Sequence, residues 1–293
     1  MKNMLVIADL VDSPQIALEK AKKLAGVTVA KIHVVAFCYE SLLFVTDDKS
    51  SEVKRMLISR TQQYWENYMQ SSDFTETVTY EVVWEKDIIS WLIKHCQSTH
   101  YDLIIKSGHR SETTFHTPTD WQLFRESTAP VYCVGDFPES SRKKEKNGSI
   151  LVALDLLTKS KEKNQLNEKL IESAFQLSVQ MNVPLEVCCA IKIPTLLKDM
   201  DLIDVPERAD KMKQEILSRA NTLLDDYGID GSQLIIEQGE PWQVVVNAAR
   251  DVNADCIVLG STGRRGVSGT LIGNTSEKVI HYSGCDLLVI PPL

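Results

Sequence analysis

Gly260, Gly263, Gly266, Gly269 and Gly273 punctuate the stretch GSTGRRGVSGTLIGNT of residues 260–275. Gly260 and Gly263 follow the apolar run Cys256–Leu259, and Gly273 stands just before NTSEKVIHYS, a segment with helical spacing. A strand end, bare backbone N–H groups and a helix N-terminus in succession are what a phosphate needs, with glycine wherever a side chain would block its approach. Asn274 suits a helix N-cap, and Glu277 three residues on gives the spacing of a capping box. The same residues admit a plainer reading, in which Gly273 and Asn274 only start a helix and the other glycines only loosen a loop. Periodicity alone leaves the two level.

Other chemistries are not visible. GxxxxGK[ST], HExxH and GxSxG are all absent from the sequence. His33, His95, His100, His109, His116 and His281 show no ligand spacing, so neither a catalytic residue nor a metal site is expected. The seven cysteines lack CxxC pairing, and several sit in or beside apolar runs, which fits buried, reduced thiols. Arg264 and Arg265 could clamp a phosphate or a partner, although an exposed charged pair more commonly serves the surface alone.

The elements that must position the glycines come from an internal repeat. MLVIAD (4–9) returns as ILVALD (150–155), YDLIIKSG (101–108) as ADCIVLGS (254–261), and TDWQLFRESTAPVYCV (119–134) has the rhythm of TSEKVIHYSGCDLLVI (275–290). Between the copies, ESSRKKEKNGS (139–149) has no large apolar residue and reads as a solvated linker. The expected domains are therefore residues 1–138 and 148–293. Each alternates apolar runs with amphipathic segments, the pattern of βαβ units and a mostly parallel sheet. In the second copy strands are expected over 150–156, 185–191, 233–237, 256–260 and 287–290, with helices over 167–181, 207–227 and 241–252 and after Gly273. Alignment of the copies puts Ser107 at the place of Gly260, Arg110 at that of Gly263, and Thr117 with Pro118 at those of Gly273 and Asn274. Side chains there would occlude a backbone cradle, and Pro118 has no N–H to give.

A net charge of -8 argues against a general nucleic-acid binder, since phosphate backbones reward surplus Lys and Arg. No signal peptide and no apolar run of bilayer length is evident, so a soluble, cytoplasmic protein without a membrane span is expected. Two apolar connections, ESLLFVTDD (40–48) and IPTLLKDMDLIDVPE (193–207), could wall a ligand or pack on the sister domain, and packing is the favoured outcome.

The spacing GxxG, nine residues, then G, together with the repeat, the Asp-ended first strand and the closing CDLLVIPP, resembles the tandem universal stress protein family. That resemblance covers nearly the whole chain. It implies an α/β fold of two tandem doubly wound domains, each a five-stranded parallel sheet of order 3-2-1-4-5 with helices on both faces. It implies an adenine nucleotide, ATP or a related molecule, in the second domain, with Mg2+ only as a companion of the nucleotide. Adenine and ribose would lie near Asp155 and Ala190. The phosphates would rest on Gly260, Gly263 and Gly273, with Asn274 and Thr275 at the helix start, and Leu259 would belong to the same nucleotide-binding set. Asn274 stands where the family has Ser or Thr, and Thr275 would compensate. Asp155 also admits a humbler role, since a strand-end carboxylate could merely cap a turn. The resemblance further implies pairing of the two halves as an intramolecular pseudo-dimer, and a role in signalling or protection under stress. A ligand-free interaction scaffold and a slow ATPase are the alternatives.

Overall fold

The computed structural model describes residues 2–26, 30–71, 77–108, 119–135, 148–194, 204–261, 264–266, 269–271 and 274–292, with the backbone alone at 119–121, 264–266, 269–271 and 274. The chain divides into two compact units, Met1–Asp136 and Phe137–Leu293.

The first unit runs β1 (Asn3–Ile7), α1 (Ile16–Ala25), β2 (Lys31–Phe37), α2 (Asp47–Ser71), β3 (Val78–Val83), α3 (Ile88–Ser98), β4 (Leu103–Gly108), α4 (Thr119–Glu126) and β5 (Val131–Gly135). Its strands lie in the order β3-β2-β1-β4-β5, and the pairs are parallel. Met4, Leu5 and Val6 of β1 are all fully buried, as expected of a strand covered on both faces. Helix α1 buries Ala17, Leu18, Ala21 and Leu24 along one stripe, and α2 seals its side of the unit with the buried Trp65.

The second unit repeats the plan with β6 (Ser149–Ala153), α5 (Lys161–Met181), β7 (Leu185–Ile191), α6 (Val205–Leu224), β8 (Leu234–Gln238), α7 (Pro241–Asp251), β9 (Ala254–Gly260), β10 (Arg264–Gly266), β11 (Gly269–Leu271), α8 (Asn274–Tyr282) and β12 (Asp286–Ile290). Its sheet order, β8-β7-β6-β9-β12, is the same 3-2-1-4-5 arrangement. The expected α/β fold class of doubly wound halves is what the structure shows.

Three local differences from the sequence reading have physical causes. Helix α5 begins at Lys161 rather than near Asn167, because the Ser160 side chain accepts the Lys163 N–H and caps it there. It ends at Asn182, which takes the left-handed conformation at φ 53°. Strand β6 stops at Ala153 rather than Leu156, since the chain turns at Asp155, whose carbonyl accepts the Thr158 N–H at 3.4 Å. Within the glycine stretch, β10 and β11 form a short antiparallel ribbon that pairs Arg264 with Leu271 and Gly266 with Gly269. Those two glycines thus face each other across a ladder instead of loosening a loop. Within segment 40–48, Leu43 and Phe44 stand exposed. No helix among the described residues is long and apolar enough to cross a membrane.

Candidate functional site

In a doubly wound sheet, the crossovers leaving the first and fourth strands depart to opposite sides, which opens a crevice at their carboxyl ends. In the second unit those strands are β6 and β9, paired in parallel with Val152 opposite Val258. A cavity of about 380 Å³ lies there. The strand ends supply Asp155 after β6, Ala190 of β7, and Leu259 and Gly260 of β9, while Thr275 comes from the first turn of α8. Five of the expected site residues therefore converge from four separate parts of the unit. Gly263 and Gly273 lie outside the described residues, and Asn274 is placed by its backbone as the first residue of α8.

The crevice is held open by specific bonds. The Asn167 side chain, buried on α5, accepts the Asp155 N–H at 3.2 Å and donates to the Asp155 carbonyl at 2.9 Å. This clamp fixes the turn after β6 and leaves the carboxylate pointing free of the backbone. The Asp155 side chain is 54% exposed and meets the Lys163 Nζ at 3.0 Å. An ion pair that wet is worth little and opens easily. At the other side, the Ser276 hydroxyl donates to the Gly260 carbonyl at 2.8 Å, tying the start of α8 to the end of β9. A side chain at position 260 has no room: a Cβ there would lie 2.6 Å from Leu166 Cδ2 on the cavity wall. The Ser261 N–H donates to the Ile290 carbonyl at 2.9 Å and belongs to the sheet, so an anion must draw its amides from farther along the chain.

Positive charge and inert thiol complete the lining. Lys163 and Lys192 both border the cavity, and Lys192 reaches Glu240 at 2.9 Å. Asp155 is the one carboxylate among the described lining residues. Burial, with Glu237 adding to it, pushes the Cys188 thiol up to about 12. Cys188 therefore stays a neutral thiol across the physiological range, and alkylation by iodoacetamide at mildly alkaline pH is expected to be far slower than for an unshielded cysteine. Mass mapping of modification against time checks this, and rapid labelling of Cys188 in folded protein would contradict the burial described.

The first unit has the equivalent strand ends in the same register, and there the strand-end carboxylate is buried and bonded within the chain. Val6 pairs with Ile105 as Val152 pairs with Val258, which makes Asp9 the counterpart of Asp155, Lys106 of Leu259 and Ser107 of Gly260. Asp9 is 8% exposed, and its carboxylate accepts the Ser107 hydroxyl and the Ala17 N–H of α1, the latter at 3.2 Å. Gln15 clamps the Asp9 backbone as Asn167 clamps that of Asp155, accepting its N–H at 3.1 Å. Lys106 lies buried beside it, its pKa lowered by desolvation against the opposing influence of Cys133 and Asp9. Arg110, Thr117 and Pro118 lie outside the described residues.

Sequence reasoning missed Lys163, Asn167, Lys192 and Ser276. The one available signal was that Gln15 and Asn167 both follow an Asp-ended strand at the head of a helix. The described cysteines form no disulfides, with Cys133, Cys188, Cys189 and Cys256 buried as expected, and Cys38, Cys96 and Cys285 partly exposed. His109 and His116 lie outside the described residues, and His33 and His95 prove to be neighbours.

Sheet order, crossover and crevice put both units in the doubly wound α/β class. The sequence model of the universal stress protein family matches residues 1–135 and again 146–291, and the chain belongs to that family. It is 30% identical over 302 residues to universal stress protein E of Escherichia coli (strain K12), covering 99% of this chain and 94% of that protein. To the universal stress protein E homolog of Haemophilus influenzae it is 27% identical over 310 residues, covering 99% of this chain and 97% of that one. Among solved structures, a protein of Pseudomonas aeruginosa PAO1 described as functionally unknown superposes with a TM-score of 0.71 at 24% identity, over 99% of this chain and 92% of that one. A universal stress protein from Archaeoglobus fulgidus does so at 0.60 and 21% identity, over 99% and 98%. These two likenesses concern the fold.

Proposed function

We propose that the second unit receives an adenine nucleotide, or a larger ligand that carries one, and that the chain acts through it in signalling or protection under stress. The first unit is then a structural partner that has lost the site. The observation that carries this reading is the contrast between two equivalent crevices. One has its carboxylate open beside a cavity, and the other has its carboxylate saturated by a serine hydroxyl and a helix amide.

The fit is chemical as well as geometric. About 380 Å³ lies within the range of small-molecule pockets and suits a nucleoside, with apolar contacts from Leu170, Val245 and Val279 for the base. Asp155, freed from Lys163, can accept from a ribose hydroxyl. Lys163 then turns to the phosphates, where Lys192 and the N-terminus of α8 add positive potential. Asp155, the one carboxylate among the described lining residues, offers too little for a resident divalent cation, so Mg2+ would arrive with the phosphates.

Calorimetric titration with ATP and ADP, with and without Mg2+, tests the proposal. One saturable site per chain is expected. Lys163→Ala should weaken it several-fold, with the difference shrinking as salt rises. Absence of any binding by either nucleotide would leave the ligand-free scaffold as the better account.

A further inference from the structure

The first unit gathers three donor groups on β2, β3 and α3. His33 on β2, Glu81 on β3 and His95 on α3 place a ligand atom each within 4.8 Å of one another. His33 Nε2 stands 3.1 Å from Glu81 Oε1, and His95 Nδ1 stands 4.0 Å from the same oxygen. The other nitrogen of each ring is already engaged by a hydroxyl: His33 Nδ1 lies 2.9 Å from Thr79 Oγ1, and His95 Nε2 lies 2.9 Å from the Tyr101 phenol oxygen. A hydroxyl can accept from the ring N–H, which leaves the inward nitrogen of each imidazole free to offer a lone pair. Metal-binding histidines are oriented in this way, by a second partner on the far nitrogen.

The ring positions suit a shared ion. With bonds of about 2.0–2.1 Å, two imidazoles on one cation put their ring centres roughly 5–6 Å apart. Here the centres are 5.7 Å apart, with the planes stacked at 10°. Trp91 stacks on His95 at 4.5 Å and 13°, which holds that ring in place. Donors in such a site lie roughly 3.4 Å apart and each ring must hold the ion in its own plane, so binding turns the His33 ring and draws Glu81 inward toward His95. All three side chains are partly exposed, at 25% for His33, 38% for Glu81 and 22% for His95, which leaves a path for entry and room for water at a fourth position.

We propose that His33, Glu81 and His95 form a binding site for a divalent transition-metal ion, Zn2+ in the first instance, that ties β2, β3 and α3 together. Two imidazoles and one carboxylate favour zinc, copper, nickel or cobalt over calcium or magnesium. Metal binding at the site stabilises the folded first unit by an amount that rises with the logarithm of the free metal concentration above the dissociation constant.

The test uses the full-length, untagged protein after treatment with a chelator. Competition against a chromogenic chelator is expected to show one Zn2+ equivalent per chain, and thermal denaturation should shift upward with added Zn2+. His33→Ala and His95→Ala should each weaken Zn2+ at least tenfold, and Tyr101→Phe about tenfold or more through loss of the outer partner. His100→Ala, His281→Ala and the His109→Ala, His116→Ala pair should leave it unchanged. Glu81→Gln keeps the side-chain shape and serves if an alanine variant does not fold. Cu2+ bound to the unaltered protein should show nitrogen hyperfine coupling from two imidazoles. Lack of a Zn2+ equivalent, its survival in both His33 and His95 variants, or a Cu2+ spectrum without two nitrogens would each overturn the proposal.

Discussion

Gly260→Val is expected to reduce adenine-nucleotide affinity at least about a hundredfold, close to 2.7 kcal/mol of binding free energy. The cause is local. The Cβ alone would come within 2.6 Å of Leu166 Cδ2, and Leu166 is nearly buried where α5 walls the cavity. Leu166 itself lines the cavity, so displacing it reshapes the space that the ligand needs. Two further methyl groups then fill the carboxyl end of β9. Overpacking of this kind also costs about 1–3 kcal/mol of stability, so binding must be measured where denaturation curves show the variant folded. Gly260→Ala should fall between the two proteins. Ser107→Ala alters the equivalent position of the first unit and should leave nucleotide affinity unchanged, since the proposed site lies in the second unit.

The two strand-end aspartates should respond in opposite ways. Asp9→Ala removes a buried carboxylate and leaves the Ser107 hydroxyl and the Ala17 N–H without their acceptor. Each unpartnered buried group costs about 1–3 kcal/mol, so a loss of about 2–6 kcal/mol from the first unit is expected, with nucleotide affinity intact. Asp155→Ala removes a half-exposed carboxylate whose partner is a wet lysine, and should alter stability by no more than about 0.5 kcal/mol. Its effect appears in binding, as a loss of about tenfold from the missing ribose contact. Urea denaturation and nucleotide titration of both variants read the two effects separately. Equal destabilisation by the two changes would remove the distinction between a structural and a receptive aspartate.

The fold was legible because parallel strands covered on both faces are written as unbroken apolar runs, such as CIVL of β9, and because the chain writes them twice. Registers then made Ser107 and Gly260 equivalent, as the aligned copies require. Less legible were the polar groups that shape the crevice. Lys163 and Asn167 sit among charged and polar residues at the head of α5, and nothing in that segment separates a solvated face from one turned toward a cavity. Their role depends on Ser160 starting the helix early enough to place them beside Asp155. The β10–β11 ribbon was hidden for a similar reason, since glycines that allow a hairpin also allow a loose loop. His33, Glu81 and His95 share no local spacing. They meet because β2 and β3 pair in parallel, with Thr79 opposite His33, and α3 packs across that face. Only tertiary structure writes such a cluster.

Native mass spectrometry of the chain titrated with ATP tests the central claim most directly. The account predicts a single nucleotide adduct per chain that saturates, is lost in Gly260→Val, and persists undiminished in Ser107→Ala. Two adducts per chain, or equal loss in both variants, would contradict it, for then the crevice closed by Asp9 and Ser107 would be binding as well as the open one.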